Sequence, residues 1–152
     1  MEKIASFQVD HTKFLPGMYL SRRDGEVTTF DLRFKKPNTG DLLTNAEMHS
    51  VEHVIATLLR NSHAKDAVIY FGPMGCQTGF YFLFDSRKLT DTEAVDLVKE
   101  VFAAGGAWEG PMPGKSAVEC GNYINLDTAL ARAQCAYYSD VIRDWTAEKL
   151  SY

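Results

Sequence analysis

The chain has 152 residues, of which 45% are hydrophobic and 24% charged, and its formal net charge is −4. That balance suits one folded domain with a sizeable core. It offers no basic run for nucleic acid or an anionic membrane surface, no apolar run long enough to span a bilayer and no apolar leader, so a cytoplasmic location is expected.

Residues 3–10 alternate, with Phe7 and Val9 on one side, and predict a strand. Asp10-His11-Thr12 is a polar exit, and Pro16-Gly17 breaks the chain. Residues 18–23 and 26–34 predict a β-hairpin about Asp24-Gly25. In its second strand Thr28, Phe30, Leu32 and Phe34 share one face, and Thr29, Asp31 and Arg33 share the other. Residues 35–44 are a loop. Thr44-Asn45-Ala46-Glu47 is a capping box opening a helix to about residue 63. Residues 67–71 and 80–84 predict two strands around the Gly-rich loop 72–79. A second capping box, Thr90-Asp91-Thr92-Glu93, opens a helix to about residue 104, which Gly105-Gly106 is expected to end. Residues 107–118 carry Gly110, Pro111, Pro113 and Gly114 and predict a loop. Asn125 is expected to cap a last helix running to about residue 149. No repeat or linker divides the chain. The order predicts a single α+β domain, with a mostly antiparallel sheet and helices packed on one face.

The first long helix carries His49-x-x-Glu52-His53. At 3.6 residues per turn the two imidazoles lie about 40° apart around the axis and about 6 Å apart along it, so both can reach one metal ion. Glu52 falls about 60° to the other side of His49, placed to move protons without ligating. This is the inverted-zincin pattern. The apolar residues Met48, Val51, Val54, Ile55, Leu58 and Leu59 form an arc opposite the histidines. The histidine face, with Ala46, Ala56 and Arg60, therefore needs a second cover from a loop, a strand or another subunit.

Two histidines do not hold a catalytic ion, so a third ligand is required. Cys120 and Glu119 are the candidates, whereas Cys135 lies mid-helix and reads as a small buried thiol. Three cysteines in all argue against a disulfide framework. Cys76, in the Gly-rich loop, reads either as a plain loop cysteine or as a thiolate that shuttles protons beside a cation.

Five segments occur together in order: Ser6-Phe7-x-Val9-Asp10-His11-Thr12, Phe30-Asp31-Leu32-Arg33-Phe34-x-x-Pro37-Asn38, His49-x-x-Glu52-His53, Gly72-Pro73-Met74-Gly75-Cys76-Gln77-Thr78-Gly79-Phe80-Tyr81 and Cys120-Gly121. Together they resemble the S-ribosylhomocysteine lyase (LuxS) family, which makes the autoinducer-2 precursor used in quorum sensing. The resemblance implies one Fe2+ per subunit held by His49, His53 and Cys120, with Zn2+ or Co2+ as possible substitutes. It implies Glu52 and Cys76 as acid/base groups, and Ser6, His11 and Arg33 as substrate contacts. It also implies a homodimer with metal sites at the subunit interface. The reaction would convert S-ribosylhomocysteine to L-homocysteine and 4,5-dihydroxy-2,3-pentanedione by two carbonyl shifts and a β-elimination. The chain departs from many relatives at Tyr70-Phe71-Gly72, where an acidic residue is common, at Lys35, where a cysteine is common, and at Glu119, where glutamine is common.

Two other readings belong beside this one. An inverted-zincin metallopeptidase would use His49, His53 and Glu119, with Glu52 activating water. A non-enzymatic metal module would need Cys76 or Cys135 as a fourth ligand.

Overall fold

Strand β1 (Gly17–Asp24) turns into β2 (Val27–Arg33) through Gly25, whose φ of 58° is the left-handed conformation this tight turn requires. Strands β3 (Val68–Pro73) and β4 (Gly79–Asp85) complete one four-stranded sheet in the order β1-β2-β4-β3. Every neighbouring pair is antiparallel. The computed structural model describes all 152 residues.

The predicted strand over residues 3–10 does not form. Ala5–Gln8 make a single helical turn, α1, and Phe7 is 70% exposed. Alternation is a local signal, and the segment pairs with neither edge strand of the sheet, β1 or β3.

Pleating divides the sheet into two faces. Phe30, Leu32, Phe80, Phe82 and Phe84 form the inner face and are fully buried. Helices α2 (Asn45–Arg60), α3 (Asp91–Gly106) and α4 (Thr128–Val141) contribute to the same core. Aromatic contacts lock the core: Phe34 stacks on Tyr138 of α4 with centroids 4.2 Å apart, and Phe71 of β3 on Phe80 of β4 at 5.1 Å. The other face of β2 looks solvent-facing from its residue types, yet Thr29, Asp31 and Arg33 are buried. Phe14 before β1 and Tyr152 after α4 lie over this polar row.

Both capping boxes form as predicted: Thr44 exchanges hydrogen bonds with Glu47, and Thr90 with Glu93. The helix ends differ from expectation. Helix α2 stops at Arg60. Helix α3 runs through Gly105-Gly106 because α4 passes so close: a Cβ at 105 would meet Cys135 Sγ at 2.8 Å, and one at 106 would meet Ala136 Cα at 3.1 Å. The glycines permit a close crossing rather than a stop. Helix α4 begins after Asp127, whose carboxylate accepts from the Ala129 and Leu130 N–H groups, and ends at Val141. Asn125 has a different partner, and the chain after α4 folds back. Trp145 packs over Gly17, and the Leu150 carbonyl accepts from the Leu20 N–H at 2.7 Å.

Candidate active site

Helix α2 turns His49 and His53 away from the main core, with ring centroids 4.6 Å apart and planes at 87°. Their second cover comes from the loop that precedes α4. Val54 of α2 packs there with Met112, Leu126 and Ala131 in a small separate core, which pins the loop to the helix.

That loop also sets the histidine tautomers. The Pro113 carbonyl lies 2.8 Å from His53 Nδ1, and a carbonyl only accepts, so Nδ1 carries the proton and Nε2 keeps its lone pair. His49 Nδ1 donates to Asn125 Oδ1 at 2.6 Å, with the same consequence. Cys120 Sγ lies 3.3 Å from His49 Nε2. One ligand atom from each of His49, His53 and Cys120 falls within 4.8 Å of the others, all three residues being half-buried. Ligands about 2.0–2.3 Å from one tetrahedral ion stand about 3.3–3.8 Å apart, and the Cys120–His49 separation of 3.3 Å is of that size. The donor set fits a divalent transition metal: two imidazoles with outward lone pairs and one thiol, each nitrogen backed by an oxygen acceptor. Gly114 has φ 68°, and a Cβ there would sit 3.0 Å from His53 Nδ1, so a glycine lets the loop pass.

Glu52 stands beside this group, not within it. It lines a cleft of about 230 Å³ with His53, Ala56, Thr57, Pro113 and Gly114. Glu119 is exposed and accepts from the Ser116 hydroxyl at 2.6 Å, outside the ligand group, which removes the third ligand of the peptidase reading. Cys135 lies buried between α3 and α4, where burial pushes its thiol up to about 12, so it supplies no fourth ligand.

A second cleft, of about 350 Å³, holds Cys76 with His11, Arg33 and Thr78 among its lining residues. The loop joining β3 to β4 carries the thiol. Cys76 Sγ is 3.0 Å from Thr78 Oγ1 and 3.9 Å from Arg33 Nη1, and the same Nη1 donates to Thr78 Oγ1 at 2.7 Å. Asp31 grips the guanidinium through both oxygens, at 3.1 and 2.6 Å. Burial opposes the Arg33 charge, but the Asp31 carboxylate outweighs it and holds the guanidinium above its ordinary range. His11 Nδ1 donates to the Val9 carbonyl at 2.8 Å, leaving Nε2 toward other partners.

Ser6 lies apart, in α1. It lines a third cavity, of about 320 Å³, with Ser21, Arg22, Thr29, Tyr70 and Tyr81 among others. The three clefts of the single chain share no lining residue. The structure thus gathers His49, His53, Cys120 and Glu52 in one place, His11, Arg33 and Cys76 in another, and Ser6 in a third. The departures from the family pattern have local explanations. Tyr70 folds across Gly72, leaving no room there for a Cβ. Lys35 pairs with Asp41 at 3.3 Å and sits over the Tyr137 ring.

Asn125 and the Pro113 carbonyl escape a reading by motif, and Asp31 and Thr78 stand inside the quoted segments without a role assigned to them. Asn125 resembles a helix cap, and a backbone carbonyl carries no residue signal at all.

A half-buried His₂Cys group with one open side, on a small α+β scaffold, defines a three-ligand metal centre of the catalytic type. The sequence pattern of the S-ribosylhomocysteinase (LuxS) family matches residues 4–149, and the chain belongs to that family. It is 45% identical over 156 residues to the S-ribosylhomocysteine lyase of Finegoldia magna, across all of this chain and 99% of the relative. It is 47% identical over 158 residues to that of Desulfotalea psychrophila, with the same coverage. It is 40% identical over 158 residues to that of Clostridium beijerinckii, again over 100% and 99% of the two chains. No helix is long and apolar enough to cross a membrane.

Proposed function

We propose that this protein is an S-ribosylhomocysteine lyase that releases L-homocysteine and 4,5-dihydroxy-2,3-pentanedione, acting in the cytoplasm as a homodimer. The observation that carries the reading is the His49–His53–Cys120 group, with Glu52 beside it, in a chain of this family. Cys76 is the second proton-transfer group, and Ser6, His11 and Arg33 contact the substrate. The metal is Fe2+, with Zn2+ and Co2+ as substitutes, since imidazole and thiolate donors accept all three.

The chemistry explains the residue types. The homocysteine sulfur leaves from C5 of the ribose, but the carbonyl starts at C1, too distant to acidify the C4 proton. One group removes the proton of C2 and a proton is delivered to C1, which moves the carbonyl to C2. The same exchange between C3 and C2 moves it to C3. Removal of the C4 proton then breaks the C5–S bond; the electron pair leaves on sulfur, which takes a proton, and the C4–C5 enol left behind tautomerises, losing its hydroxyl proton and gaining one at C5, to give the dicarbonyl. Each transfer needs a base on one carbon and an acid on its neighbour. The Glu52 carboxylate and the Cys76 thiolate fill these roles from two sides of the sugar. The bound divalent ion supplies a Lewis acid for the negative charge that develops on oxygen. Arg33, charged and anchored by Asp31, holds positive charge next to Cys76.

The separation of the clefts supports a site assembled from two chains. A Cys76 cleft on one subunit would close over a metal cleft on the other. Large apolar side chains are exposed in the segments that carry Ser6 and Cys120: Phe7 at 70%, Val118 at 97% and Ile124 at 79%. A second copy provides the cover they lack.

The test is an anaerobic assay of the Fe2+-loaded protein with S-ribosylhomocysteine, titrating free thiol and trapping the dicarbonyl product with a diamine. Equal amounts of both products are expected. A metal-loaded dimer that releases neither would overturn the proposal.

A further inference from the structure

The Asp31–Arg33 pair has a third member that the mechanism above does not use. Tyr152 donates its hydroxyl to Asp31 Oδ2 at 2.6 Å, and the same oxygen accepts from Arg33 Nη2 at 2.6 Å. The Tyr152 ring stacks on Tyr19 with centroids 4.9 Å apart and planes at 13°, and tilts against Phe14 at 5.0 Å. Phe14 in turn lies beneath the Arg33 guanidinium, 4.9 Å from its central carbon. The segment reaches this position because Leu150 is tied to β1 through the Leu20 N–H and Trp145 sits edge-on to Tyr19.

We propose that Tyr152 is a positioning residue for Cys76, acting through Asp31 and Arg33. It lines no part of the cleft that holds Cys76. Its action is indirect. Each oxygen of a buried carboxylate can accept more than one hydrogen bond, and the Tyr152 hydroxyl fills the second position on Asp31 Oδ2 in one geometry. Asp31 is thereby fixed, and it fixes the guanidinium whose other nitrogen reaches Thr78 and the Cys76 thiol. The ring of Tyr152 also shields the ion pair, which keeps water from weakening the field of Arg33 at the thiol. The titratable groups facing this network are Tyr19 of β1, Tyr81 of β4, Tyr138 of α4, and Tyr152, Cys76 and His11 from the connecting segments. Burial, and next the Asp31 charge, hold the Tyr152 phenol above its ordinary range, so it stays a hydrogen-bond donor throughout the working range of pH.

The inference rests on Cys76 acting as a proton-transfer group, and its test separates the two claims. The rate of Cys76 alkylation by iodoacetamide is followed against pH by mass spectrometry in the wild type, Tyr152→Phe and Tyr152→Ala. Metal content, thermal midpoint, kcat and KM are measured alongside. Tyr152→Phe is expected to keep its metal and fold, to alkylate Cys76 about 3- to 10-fold more slowly at neutral pH, and to shift that profile to higher pH. Its kcat should fall in proportion to the alkylation rate, and KM should rise as well, because Arg33 also contacts the substrate. Tyr152→Ala should do the same more strongly, and Tyr152→Phe decides alone if the alanine variant does not fold. A Tyr152→Phe profile that superimposes on the wild type overturns the inference. A wild type without lyase activity defeats the proposed reaction, while the alkylation profiles still decide the role of Tyr152.

Discussion

His49 and His53 owe their metal-facing nitrogens to two oxygen acceptors, Asn125 Oδ1 and the Pro113 carbonyl, contributed by a distant loop. The α2 pattern places the imidazoles on one face, and the loop decides which nitrogen of each is free. Replacing Asn125 with alanine removes the acceptor that orients His49. Metal affinity should drop about 10- to 100-fold, read by competition with a chromophoric chelator, with little change in the unfolding midpoint of the metal-free protein. Cys135 makes an opposite kind of prediction. Burial raises its thiol from 9.0 to about 12 in the folded state. Its contribution to stability is therefore present below the unfolded value and is lost as pH rises from about 9 toward 12, because the unfolded chain ionises first. Urea unfolding across that range should show a smaller decline in Cys135→Ala, and native Cys135 should resist alkylation at pH 8 while Cys76 reacts. The meeting of His49 and His53 is legible because helical spacing puts them on one face, whereas Cys120, which the structure places with them, is singled out from Glu119 only by the family resemblance. The role of Asn125 is not legible, since its partner stands 76 residues away and a lone asparagine before a helix reads as a cap.

Elements are legible in sequence where the signal depends on neighbouring residues, and illegible where a distant contact decides. The hairpin at Gly25 and the two capping boxes are local and appear as predicted. The glycine pair at 105–106 is a local stop signal overruled by packing: α3 continues because α4 needs the space above it. Gly105→Ala thus carries a test of that reason. Intrinsic propensity would make the substitution stabilising in a helix. Crowding against Cys135 Sγ should instead cost about 1–3 kcal/mol in chemical denaturation, and a more stable variant would show that the crossing tolerates a methyl group. The segment over residues 3–10 illustrates the converse: its alternation is a local strand signal, yet it joins neither edge of the sheet and forms a helical turn.

In the whole molecule, a helical layer and a polar face divide the work. The inner face of the sheet makes the core, and the outer face of β2 buries Asp31 and Arg33 under Phe14, Tyr19 and Tyr152. Strand periodicity assigned each residue to its face, but not the cover over the polar one, which comes from the two ends of the chain. Glu52 and Cys76 line separate clefts of the chain, and Phe7, Val118 and Ile124 are exposed apolar side chains. Both features fit two chains completing each other's sites. Subunit complementation tests this most directly. Cys76→Ala and Glu52→Gln are each expected to be inactive as homodimers that retain metal. Mixed and reassembled in equal amounts, they form hybrids in which one of the two sites has an intact Cys76 and an intact Glu52. Thiol release should recover to about one quarter of the wild-type rate, since about half the dimers are hybrids with half their sites whole. Hybrids confirmed by native mass spectrometry that remain inactive would contradict a site shared between subunits.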